Sequence, residues 1–228
     1  MSFEVRPLTP EHAVAAAAIH AEGQERTFLT SLGPAFLRAL YAQTASSAHC
    51  FGFVALDGGE VIGVVTGTVD SGAVFKELVL RRGLKLVLPV AGAMLRNLSL
   101  VPKVLKTLVY PAQTRNSKGA KGRATKDTKG GVKAEPGEAE LFFIGTRADR
   151  RSEGVGSALF HALAEEMRRR GMRAMGLIVD DENETAKRFY LRHGMRPVRA
   201  FHLYGRRMQW FVLPLIGESE SKSEHGIS

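Results

Sequence analysis

The residues best placed to do chemistry lie in a single ten-residue segment, 147–156, with the sequence RADRRSEGVG. It follows an apolar stretch, AELFFIGT at 139–146. It precedes a run in which Val155, Ala158, Leu159, Ala162, Leu163 and Met167 recur at helical spacing. Gly154 and Gly156 therefore straddle a strand-to-helix turn. Glycine there lets a ligand approach the backbone closely. The first N–H groups of a helix have no intrahelical acceptor, and the helix dipole adds partial positive charge. Together these features suit a phosphate or pyrophosphate. Arg147, Arg150 and Arg151 are candidates for charge-assisted contacts to it. Two better-known phosphate loops are excluded. No GxxxxGK[ST] occurs, and Leu159 stands where the third glycine of the dinucleotide fingerprint belongs.

A second block begins 27 residues beyond Gly156: Asn183-x-x-Ala186-x-x-Phe189-Tyr190-x-x-x-Gly194. It reads as a helix over 183–193 stopped by Gly194, with Asn183 as a candidate N-cap. Tyr190 is its only side chain with an ionisable proton at the block's fixed positions. The elements that must hold these two blocks follow from pattern. Residues 3–6 read as a strand ended by Pro7. Thr9-Pro10-Glu11 opens a helix to Ala21, with Pro10 in its first turn. A second helix follows Gly33-Pro34. Residues 51–56 and 61–69 form a hairpin around Asp57-Gly58-Gly59. The strand at 139–146, the helix from 155 to about 170, and a strand at 174–179 come next. A last strand pair, 198–204 and 207–215, turns at Gly205. Strands alternating with helices give an α/β or α+β domain with a mixed sheet.

The two blocks, Arg151-x-x-Gly154-x-Gly156 and the Asn183–Gly194 pattern, resemble those of the GCN5-related N-acetyltransferases, the GNAT superfamily. The resemblance covers 139–215 and fits 1–70 by the order of its elements. Ser152, Thr146 and Met195 depart mildly from it, standing where glycine, valine and phenylalanine are frequent. It implies the GNAT acyl-CoA N-acyltransferase fold and acetyl-CoA as co-substrate. The amides of Arg151, Ser152, Glu153, Gly154, Val155 and Gly156 would hold the pyrophosphate. The backbone of Phe143, Ile144, Gly145 and Thr146 would pair with the pantetheine arm as an added strand does. Asn183 would contact that arm or simply cap its helix. An amine would attack the thioester carbonyl directly, with Tyr190 as general acid and Glu140 as candidate base. Glu138 is a second candidate, and water reached through backbone carbonyls is a third.

Residues 72–137 lie outside the resemblance. They carry 14 Lys and Arg against three Asp and Glu, a net +11, whereas the rest of the 228-residue chain sums to −2. The basic character of the protein thus belongs to one insertion before the central strand of a single domain, 1–215. Residues 74–110 mix apolar and basic side chains and read as helical, broken at Gly83, Pro89 and Pro102. Residues 112–137 are nearly devoid of large apolar side chains and read as a disordered basic loop. The tail 216–228 is expected to be flexible.

Three uses of the insertion stay open: a helical lid, attachment of 74–135 to an anionic membrane surface, and recruitment of an acidic acceptor. Nucleic acid is disfavoured, because the loop has no interleaved aromatics. The expected partner is a small-molecule amine such as an amino sugar. A protein N-terminus or lysine is the alternative, and a non-catalytic acyl-CoA-binding module is a further one. Seven histidines without ligand spacing predict no metal site, and the lone Cys50 excludes a disulfide framework. Asn97-Leu98-Ser99 and Asn183-Glu184-Thr185 match the glycosylation pattern and read as chance. The opening MSFEVRPLTPEH lacks the basic-then-apolar design of a secretory signal. No run approaches the ~18 apolar residues of a membrane span. The expected location is the cytoplasm, with the inner membrane surface as the alternative.

Overall fold

A computed structural model describes residues 2–25, 27–77, 90–91, 138–203 and 205–216. In order they form β1 (Glu4–Pro7), α1 (Ala13–Gly23), α2 (Phe28–Ser31), α3 (Pro34–Ala45), β2 (Cys50–Asp57), β3 (Glu60–Thr68) and α4 (Ser71–Lys76). Then come β4 (Glu138–Thr146), α5 (Val155–Arg169), β5 (Ala174–Asp180), α6 (Glu184–Arg192), β6 (Arg196–Leu203) and β7 (Arg206–Pro214). The strands build one seven-stranded sheet in the order β1-β2-β3-β4-β5-β7-β6. Every neighbouring pair is antiparallel except β4 and β5, which run parallel.

Two apolar layers sandwich the sheet. On one face α5 buries Val155, Leu159, Phe160, Leu163, Ala164 and Met167 against Ile62, Val65, Ala139 and Leu141. On the other, α1 and α3 cover Val54, Val64 and Phe143 with Ala16, Ile19, Phe36, Leu37 and Tyr41. The helical spacing read from the sequence is thus the buried face of α5, as expected for an amphipathic helix on a sheet. The parallel β4–β5 pair needs a crossover, which α5 supplies.

Several boundaries differ from the sequence reading for local reasons. The turn after Thr9 is a single 3₁₀ turn, Pro10–His12, before α1 begins at Ala13. The Thr9 amide donates to His12 Nδ1 at 3.1 Å there, one half of a capping box that closes this first turn. Two short helices had no periodic signal. Thr27 caps α2 by accepting from the Thr30 amide, and Asp70 caps α4 by accepting from Ala73 at 2.9 Å. The helical reading of 74–110 meets the structure in α4 and at Val90, which packs against the α1–α3 layer. The rest of that reading, the loop at 112–137 and the tail beyond 216 lie outside the described residues. Among the described residues, no helix is long and apolar enough to cross a membrane.

Candidate active site

The site begins where two strands part. β4 and β5 pair only at Glu138–Ala174, Ala139–Met175 and Glu140–Gly176. Beyond that rung β4 continues to Thr146 and β5 to Asp180 without pairing to each other. Main-chain groups of 141–146 on the β5 side are left with no strand partner. A polar edge of this kind accepts an added extended ligand.

A register irregularity helps open the cleft. On β3, Thr66 faces Phe143 and the next residue, Gly67, faces Leu141, so Phe142 is an extra residue in β4. One extra residue inverts the alternation of faces. Leu141 accordingly packs into the α5 layer and Phe143 into the α1–α3 layer. Phe142 remains 44% exposed at the cleft. Phe143 therefore offers the cleft its main chain only, because its ring stacks on His20 at 4.2 Å between centroids.

The loop 147–154 is held from three sides. The Ala148 amide donates to Glu22 Oε1 at the end of α1. Arg147 donates to Glu60 and to both oxygens of Asp149. Arg150 joins Asp57 at 2.7 Å and Glu153 at 2.8 Å. Two of the three candidate arginines therefore already have carboxylate partners. Arg147 and Arg150 are already in ion pairs that tie the loop to the β2–β3 hairpin, through Glu60 and Asp57 respectively. Arg151 alone is exposed and makes no ion pair with a described residue. Its neighbour Glu153, proposed through its amide, uses its carboxylate on Arg150.

The loop ends in unusual backbone. Ser152 has φ +67° and Gly154 φ +84°. The left-handed region explains why glycine belongs at 154, and it makes Ser152 a strained non-glycine residue. No atom lies within 4 Å of where a Cβ on Gly154 would stand, so its free side faces open space. The first i→i−4 bond of α5 runs from the Ala158 amide to the Gly154 carbonyl, and no side chain caps this end. The amides of Val155, Gly156 and Ser157 thus precede the helical bonding pattern and remain available to an anion. Gly156 has a different role. A Cβ there would come to 3.4 Å from Phe189 and 3.9 Å from Thr146, so this position is where α6 and β4 close on the loop.

On α6, Asn183 Oδ1 accepts from the Ala186 amide at 3.0 Å, which makes it the helix cap. Tyr190 is buried, its ring among Phe160, Phe189 and Phe211. Burial raises the pKa of its phenol, so it keeps its proton throughout the neutral range. Glu140 lies half-buried on the last paired rung, between Thr68 of β3 and Gly176 of β5, at the point of divergence. Glu138 sits two residues earlier, where the strands are still paired.

Cys50 is buried, and desolvation pushes its thiol up to about 12, which suits a core residue and disables a nucleophile. Among the described residues no group of three or more His, Cys, Asp or Glu is arranged to hold a metal ion. Two pairs carried no sequence signal. His20 of α1 bonds Tyr41 of α3 at 2.8 Å inside the apolar layer, and His193 bonds Ser157 at 3.0 Å beside the loop. Both depend on contacts 21 and 36 residues apart in the chain.

Residues 120–195 match the model of the acetyltransferase (GNAT) family. No curated protein matches the chain. Solved structures share its fold. An N-acetyltransferase from Staphylococcus aureus Mu50 superposes with a TM-score of 0.58 at 16% identity, over 95% of this chain and 100% of that one. NAA60 of Arabidopsis thaliana, solved with acetyl-CoA, gives 0.57 at 17% identity over 95% and 100%. The ribosomal-protein-S18-alanine N-acetyltransferase of Escherichia coli gives 0.54 at 15% identity over 95% and 97%. At these identities the similarity is one of fold.

Proposed function

We propose that this chain, whose residues 120–195 match the acetyltransferase (GNAT) family model, is an acetyltransferase of that kind and moves the acetyl group of acetyl-CoA directly to a primary amine on a small molecule. The observation that carries this reading is the parting of β4 and β5 beyond Glu140–Gly176, with the unpaired start of α5 beside it. The free edge of 143–146 fits an extended amide-bearing arm. The amides of 151–156, with Ser157, fit a pyrophosphate, and Arg151, which pairs with no described residue, adds a positive charge beside them. Acetyl-CoA supplies the activated acyl group.

The protein's own contribution is mostly position and proton handling. The clamp of Glu22, Asp57 and Glu60 on the loop fixes the anion-binding amides before the ligand arrives, which lowers the entropy cost of binding. Tyr190, protonated at neutral pH, is the donor for the leaving sulfur. Glu140 at the divergence is the acceptor for the amine's proton, directly or through water. Asn183 acts by holding the start of α6, which sets Phe189 and Tyr190.

The acceptor is a small amine bearing anionic groups, such as a nucleotide-linked amino sugar. The net +11 of residues 72–137, set against −2 elsewhere, favours attraction of an acidic molecule. The test is thiol release from acetyl-CoA with a panel of amino sugars, polyamines, amino acids and peptides with free N-termini. Turnover on amino sugars supports the reading, and turnover confined to peptides replaces the acceptor with a protein amine. Tyr190→Phe should lower kcat by about 100-fold with KM for acetyl-CoA little changed. Tight acetyl-CoA binding without turnover on any amine would leave a binding module and refute the enzyme reading.

A further inference from the structure

His193 closes α6 against the first turn of α5, and its two nitrogens have different partners. Nδ1 lies 2.8 Å from the carbonyl oxygen of Phe189. A carbonyl only accepts, so Nδ1 carries a proton and donates. Nε2 lies 3.0 Å from Ser157 Oγ. In the neutral ring Nε2 has only a lone pair, so the serine hydroxyl must donate to it. Ser157 is the third residue of α5, and its amide is one of the three that precede the helical bonds. The same helix face that fixes His193 also presses Phe189 against Gly156.

We propose that His193 is a positioning residue for the cofactor's phosphate groups, acting through the Ser157 hydroxyl, and that it couples cofactor affinity to its own protonation. The proposal rests on the acetyl-CoA reading of the loop. A hydroxyl has one proton. While it is given to neutral His193, Ser157 presents only lone pairs to a phosphate oxygen. When Nε2 takes up a proton, the N–H donates to Ser157, and the serine proton is free for the phosphate. The imidazolium also adds a positive charge nearby. Binding of the anion and protonation of the ring therefore favour each other, as linkage requires.

The surroundings leave room for this exchange. The ring packs on Phe160 and Phe189, with centroids 4.9 and 4.3 Å away. The titratable and charged groups sharing its groove are His161, 5.3 Å from it between ring centroids, and Glu165 and Arg168 of α5. Glu165 and Arg168 pair with each other at 3.2 Å and largely offset. β7 contributes only apolar Leu213, and Arg192 adjoins the ring along α6.

The experiment measures acetyl-CoA dissociation constants by calorimetry from pH 6 to 8.5 for the parent protein, His193→Gln and Ser157→Ala. The ligand's own 3′-phosphate titrates identically in all three, so only differences count. The parent should weaken about fivefold more than His193→Gln across this range, and Ser157→Ala, which keeps the imidazolium charge but lacks the relaying hydroxyl, should fall between the two. His193→Gln, whose amide always donates, should bind at pH 8.5 at least as well as the parent. In proton NMR, saturating acetyl-CoA should move the His193 titration to higher pH. Equal pH slopes in all three proteins, or a His193 titration unmoved by ligand, overturn the proposal while leaving the cofactor site intact. Absence of acetyl-CoA binding in the parent at every pH overturns both.

Discussion

The buried pair His20–Tyr41 makes a sharp prediction about acid stability. His20 is 3% exposed, stacked on Phe143, with Nδ1 bonded to Tyr41 and Nε2 without a partner in the described structure. Desolvation lowers its pKa from 6.5 to about 4. The unfolded chain takes up this proton at about 6.5, whereas the native state refuses it until about 4. Between those values the unfolded state binds more protons, so stability falls as pH falls. The contribution is fully present above the unfolded value and lost as pH drops through the folded one.

The loss attributable to His20 from pH 7 to 4.5 is about 2 kcal/mol. That corresponds to roughly 4–8 °C in melting temperature for a protein of this size. The perturbation is the double variant His20→Phe, Tyr41→Phe, which removes both polar partners and keeps the ring shapes, so that no buried group is orphaned. Urea melts of parent and variant at pH 7, 6, 5 and 4.5 give the comparison. The parent should lose about 2 kcal/mol more than the variant over this range, at up to about 1.4 kcal/mol per pH unit. A constant difference between the two proteins at every pH would refute the argument, since a merely structural role for His20 has no pH slope.

Three further outcomes follow from geometry. Ser152→Gly relieves a non-glycine residue at φ +67° and should raise stability by about 1 kcal/mol in urea melts, with the loop still able to bind acetyl-CoA. Gly176→Ala places a Cβ 2.1 Å from the Trp210 ring on the last shared strand rung, and overpacking should cost about 1–3 kcal/mol with a shifted tryptophan emission. Cys50, with its thiol raised to about 12, should resist alkylation by iodoacetamide at pH 8 until the protein is unfolded, which mass spectrometry will show.

The glycine loop and the Asn183–Gly194 block were legible because backbone conformation and capping are local demands, written in residue type. Gly154 at φ +84°, the cap by Asn183 Oδ1 and the apolar stripe of α5 all appear where spacing places them. The Asp57-Gly58-Gly59 turn was legible for the same reason. Arg147, Arg150 and Arg151 show the limit. All three lie within five residues of one another, yet two pair with Glu60 and Asp57, about 90 residues upstream. Which of several like charges stays free depends on which carboxylates the fold brings near, and spacing along the chain carries no record of that.

The sequence by itself determined the order of the strands and the longer helices, the glycine-relieved turn before α5 and the confinement of excess positive charge to 72–137. Each of these is a property of neighbouring residues or of a sum over them. Only the tertiary structure decided that β4 leaves β5 after Glu140, that Phe142 is an extra residue turning Phe143 onto His20, and that His193 reaches Ser157. Those facts arise from strand register and the packing of helices distant in sequence. The same pattern of residue types is compatible with several registers, and burial of the two apolar layers selects one.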